Sequence, residues 1–193
     1  TSARFYNPRG ITTDGTNLYV ADTDNHLIRK IVISTGAVTT LAGYTGSTGS
    51  SDGTGTSARF DYPRGITTDG TNLYVANTNT HTIRKIVIAT GTVTTIAGSL
   101  NSGNTDGFGT SARFDSPHGI TTDGTNLYVV NHGKHTIRKV VIATGEVTTL
   151  AGSSGSTGST NGTGTAAKFK SPTQIVTDGI NLYVADTNNH TIR

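Results

Sequence analysis

NLYVADTDNHLIRK, from Asn17 to Lys30, is the stretch on which the fold turns. It returns as NLYVANTNTHTIRK from Asn72, NLYVVNHGKHTIRK from Asn126 and NLYVADTNNHTIR from Asn181. A short apolar run, Leu18 to Ala21, gives way to a polar turn and then to a β-branched run that continues past the stretch, His26 to Ile33. That order predicts two strands and the turn between them.

Working outward, Gly10 to Thr13 leads into Asp14-Gly15-Thr16-Asn17, a hairpin signal. Ser34-Thr35-Gly36 closes the third run, and Ala37 to Ala42 makes a fourth. Four strands joined by three short turns form one antiparallel meander, and no segment carries helical periodicity over ten residues. TSARF stands at Thr1, Thr56 and Thr110, and TAAKF at Thr165, so the units are 55, 54 and 55 residues long. They divide the chain into residues 1–55, 56–109, 110–164 and a partial 165–193. All four prolines, Pro8, Pro63, Pro117 and Pro172, fall just before a first strand, where a missing N–H does no harm. Phe5, Phe60, Phe114 and Phe169, three residues earlier, read as plugs under each meander.

One meander cannot bury both of its faces alone, so neighbouring sheets must cover them. Four-stranded units at this period are the signature of an all-β propeller, three full blades and a partial fourth. A stack of solenoid coils fits less well, because its repeats are shorter and lack three tight turns.

The pattern Phe5, Pro8, Gly10-Ile11, Asp14-Gly15, Asn17 to Asp22, Asn25-His26 and Ile28-Arg29 resembles the NHL repeat, in all four units. The resemblance implies a β-propeller, commonly six-bladed. Asn77 and Asn131 depart from its Asp, Thr80 and Lys134 from its Asn, and the Gly/Ser-rich connectors are about ten residues longer than the pattern. Members of this family include protein- and RNA-binding modules and propeller lyases or hydrolases, so fold alone does not choose a function.

The composition narrows the choice. A net charge of +3 over 193 residues is too small to imply a polyanion partner, and nucleic acid is not expected. No window is long and apolar enough for a membrane-spanning helix. With no Cys there is no disulfide, thiolate nucleophile or zinc–thiolate site. The Thr/Ser/Gly/Asn-rich, weakly charged make-up points outside the cell or to its surface.

Blade topology puts the turn between strands two and three on the same edge as the connector. That edge varies among the copies (TDNH, TNTH, HGKH, TNNH), whereas the opposite edge scarcely changes. Arg9, Arg64 and His118 precede the innermost strand on the variable edge, near the mouth of the central channel. With His132 and Lys134 of the HGKH turn they are the candidate ligand-binding residues, suited to an acidic partner or glycan.

His118, His132 and His135 on one edge would suit zinc or copper, and the Asp52-Gly53-Thr54-Gly55 and Asp106-Gly107-Phe108-Gly109 loops could offer oxygens to calcium. The structural reading is preferred for each, as it is for Asp22, Asn77, Asn131 and Asp186 and for the repeated His26, His81, His135 and His190. No metal or cofactor is expected. Near-identical blades supply the same side chain at every radius, whereas catalysis needs different groups at one point. The expectation is therefore a non-enzymatic structural or protein-interaction scaffold. Three and a half units do not close a propeller of usual size, so either a longer polypeptide or further copies, as an oligomer or filament, should complete it.

Overall fold

The computed structural model describes residues 3–193; Thr1 and Ser2, which open the first unit, lie outside it. In the first blade β1 (Gly10–Thr13), β2 (Asn17–Asp22), β3 (Leu27–Val32) and β4 (Val38–Gly43) follow one another across an antiparallel sheet. Asp14 builds the first turn: its Oδ1 accepts the amides of Thr16 and Asn17, and its Oδ2 the Tyr19 hydroxyl at 2.7 Å. Gly15 supplies the positive φ of 87° that the turn requires.

The second blade repeats this with β6 (Pro63–Thr68), β7 (Asn72–Asn77), β8 (Thr82–Val87) and β9 (Thr92–Gly98). A two-residue strand from the connector, β5 (Gly53–Thr54), is added at the outer edge of that sheet, beside β9. The third blade has the same five-stranded plan, with β10 (Gly107–Phe108) beside β14 (Glu146–Ala151) and then β13 (Thr136–Val141), β12 (Asn126–Asn131) and β11 (Pro117–Thr122). The fourth holds β15 (Gln174–Thr177), β16 (Leu182–Asp186) and β17 (Thr191–Ile192). The sheets are the blades of a β-propeller, and among the described residues helical structure is confined to single 3-10 turns. The meanders match the sequence reading. The connector strands β5 and β10 do not, for they belong to the blade that follows.

The core lies between blades. Tyr19, Ala21 and Ile28 of the first pack against Phe60, Ile66 and Val75 of the second. The same positions recur between the second and third blades, and between the third and fourth. Phe60, Phe114 and Phe169 fill the inter-blade spaces as expected, while Phe5 lines the open face of the first blade; all four carry an arginine guanidinium over the ring, as Arg84 is 5.3 Å from the centre of Phe60. The innermost strands approach so closely that only glycine fits: a Cβ on Gly10 would stand 2.2 Å from the Arg64 carbonyl oxygen, and one on Gly65 2.2 Å from that of His118. The fourth blade has Gln174 in this place.

Candidate functional site at the channel mouth

The turn between the second and third strands is a 3-10 turn ending on a left-handed histidine, with φ of 59° at His26, 57° at His81, 60° at His135 and 56° at His190. The imidazoles join blades. Nδ1 of His26 accepts the Tyr62 amide, that of His81 the Ser116 amide and that of His135 the Ser171 amide, at 3.0–3.2 Å. The repeated histidine is thus a clasp to the next blade, which is the structural role the sequence suggested.

The turn's first residue makes a second clasp. The hydroxyls of Thr23 and Thr78 donate to the carbonyls of Pro63 and Pro117, at 2.7 and 2.8 Å. In the third blade His132 stands in for this threonine, and its Nδ1 donates to the Pro172 carbonyl at 2.9 Å. The imidazole is larger than a hydroxyl and reaches further, so its ring stacks on His118 with centroids 4.0 Å apart and planes 9° from parallel.

His118 is buried under this stack. Burial, with the charges of His132, Arg64 and Arg9 behind it, lowers its pKa to about 3, so it is neutral. Arg64 cannot accept a proton, so its Nη1 donates to His118 Nε2 and fixes the Nδ1–H tautomer. The Arg64 Nε is buried without a partner, and burial together with Arg9 lowers this guanidinium's pKa too. Arg9, Arg64, Gly65, His118, Thr173 and Gln174 line a cavity of about 310 Å³ at the mouth.

The structure thus gathers Arg9, Arg64, His118 and His132 in one place. Lys134 turns aside to pair with Asp115 at 3.3 Å. His135 is spent on the Ser171 amide, and no group of three or more metal-ligating side chains is assembled among the described residues. Sequence reasoning missed Thr173 and Gln174. They occupy the register positions of Arg9 and Gly10, and that alignment was the available signal.

The alternating acids and amides at the end of the second strand have one shared job. Oδ1 of Asp22, Asn77, Asn131 and Asp186 accepts the amide of Tyr6, Asp61, Asp115 and Lys170 respectively, at 2.6–2.8 Å. An amide oxygen does this as well as a carboxylate. The Asp52 and Asp106 oxygens are held by Arg84 and Arg138, so these loops are built around arginines.

The NHL repeat pattern matches residues 5–31, the first of four copies that the structure shows folded alike. The chain belongs to the NHL-repeat family. It is 33% identical over 132 residues to NHL repeat-containing protein 2 of Homo sapiens, spanning 63% of this chain and 18% of that protein. The Gallus gallus protein of that name is 29% identical and matches 99% of this chain and 31% of its own length. The chain therefore spans less than a third of these curated relatives. A Bacteroides thetaiotaomicron protein of unknown function superposes with a TM-score of 0.78 at 26% identity, over 96% of this NHL chain and 46% of its own. An auxiliary nutrient binding protein of the same organism gives 0.76 at 21% identity, covering 95% and 46%, a likeness of fold alone.

Proposed function

We propose that this NHL propeller is a non-catalytic interaction scaffold whose open blade faces take a further blade of the same kind, from a second copy or from more of the same polypeptide. One observation supports the reading: the first and fourth blades leave open the two halves of a single recurring interface. Tyr183 and Ile192 of the fourth blade are 44% and 73% exposed, although their counterparts Tyr19 and Ile28 are fully buried by the next blade. On the first blade Ile11 is 61% exposed, whereas Ile66 at the same position is 6%. Beside Ile11 an apolar groove of about 280 Å³ runs between Phe5, Pro8, Val20 and Ile31.

The fourth face is more apolar than its counterparts, because Val176 replaces Thr12, Thr67 and Thr121 and lies opposite Tyr183. Contiguous exposed apolar surface of this sort marks an association site. The contact joins a first blade to a fourth, so it is head-to-tail and makes a ring where the rotation closes and a filament where it does not. A Thr/Ser/Gly-rich, weakly charged surface suits this role outside the cell.

Light scattering over a concentration series tests the reading. The parent chain should associate, and Ile11→Asp and Ile192→Asp should each remain monomeric. Mixing these two variants should give a dimer and nothing larger, since each keeps one intact half. A parent chain that stays monomeric at all concentrations, or variants that associate like the parent, would overturn it.

A further inference from the structure

We propose that the channel mouth binds the carboxylate of an acidic sugar, with Arg9 and Arg64 on the anion and the sugar ring directed down the channel. Two guanidinium groups share the rim of one cavity, and neither its lining nor that of the space beneath includes a carboxylate. Arg64 gives Nη1 to His118 and keeps Nε buried, which leaves Nη2 to meet an anion at the rim. A carboxylate held between this nitrogen and the Arg9 guanidinium is the complement of such a pair. Neutral His118 holds the guanidinium in position without cancelling its charge. The Gln174 amide and Thr173 hydroxyl add uncharged hydrogen-bonding groups on the far side of the cavity.

The space beneath points to the rest of the ligand. A cavity of about 380 Å³ continues inward past Thr12, Thr67 and Thr121, with Ile66 and Ile120 among them. Threonine hydroxyls beside aliphatic patches match a pyranose, which presents hydroxyls at its edge and C–H groups on its face. A nucleotide would instead want an aromatic surface for its base, and neither lining offers one. Arg64 and His118 belong to the two internal blades, whereas Arg9 also borders the groove on the open face of the first blade.

Calorimetry with sodium glucuronate, glucose, acetate and inorganic phosphate tests the site. Glucuronate should bind one per chain, at least tenfold tighter than any of the other three. Arg64→Gln should weaken it tenfold or more, as should Arg9→Gln, whose exposed side chain is not needed for folding. Lys85→Gln, away from the mouth, should bind like the parent. Glucuronate binding no tighter than glucose, or unchanged by both arginine substitutions, would sink the proposal. Acetate or phosphate matching glucuronate would reduce the mouth to a bare anion site and overturn the sugar.

Discussion

Arg84 and Asp52 meet at 2.8 Å, the guanidinium fully buried and the carboxylate half in water. Arg138 and Asp106 repeat the pair in the third blade at 2.7 Å. In the fourth, Arg193 instead faces Asp186 at 3.5 Å and meets no carboxylate in the connector, only the carbonyls of Ser159 and Thr160 and the side-chain oxygen of Asn161. The first blade follows the fourth, with Arg29 on Asp22 at 3.2 Å and Asn25 beside it. The blades thus hold one arginine in two ways, with the negative charge either at the end of the second strand or in the connector.

This exchange predicts a rescue. Asp52→Asn should destabilise the chain by about 2 kcal/mol, less than a fully buried pair because Asp52 is half exposed. Adding Asn77→Asp and Thr80→Asn rebuilds the arrangement of the fourth blade and should recover most of the loss. Urea melts of the three proteins check it, and equal midpoints for the single and triple variants would count against the exchange.

Phe60 is fully enclosed between the first two blades, while Phe5 at the same position lies on an open face. Phe60→Ala should therefore cost about 3–5 kcal/mol, and Phe5→Ala under about 1.5 kcal/mol. Thermal unfolding of both would show whether the energy resides between blades rather than within them.

Gly65→Ala should cost about 2–3 kcal/mol, because its Cβ would collide with the His118 carbonyl and force two innermost strands apart. Gln174→Gly should act in the other direction on association. With the fourth blade's Cβ removed, a further blade can come as close as the internal ones do, and light scattering should show tighter self-association than the parent.

Stability should fall on mild acidification. The folded His118 has a pKa of about 3, below its ordinary value, so between that value and about 6.5 the unfolded chain binds the extra proton. Its contribution is present above pH 6.5 and lost as pH drops, about 2 kcal/mol by pH 5. His118→Gln keeps an acceptor for Arg64 and should flatten the stability profile from pH 7 to 5. A smaller slope should persist, because burial and the charges of His132 and Lys134 also lower the His135 pKa.

Much of this was legible in the residues. Asp-Gly-Thr-Asn and Ser-Thr-Gly located the hairpins because their chemistry is local, and alternation along the strands gave both faces. The variable edge was read correctly, since strand direction alone decides which turns share it. β5 escaped notice: two residues carry no periodicity, and their partners Thr92 and Val93 lie some forty residues on. That Lys134 leaves the mouth for Asp115, and that His118 is capped by His132, depends on side-chain reach between blades, which repeat spacing does not encode. One signal was present and unused: Asn77 and Thr80 change together, as do Asn131 and Lys134, in the two blades whose arginine takes its charge from the connector.

The connector that carries Asp52 also lays Gly53 and Thr54 along the outer edge of the second blade. Chain leaving the first blade is therefore fastened to its neighbour before it begins that neighbour's own hairpins. Under tension the load passes across the outside of the ring, from one blade's rim to the next, and pulling one repeat free must first peel the rim of another. The folded blade is thus offset along the chain from the repeat counted at TSARF, and a cut at the repeat boundary takes a strand from the blade that follows.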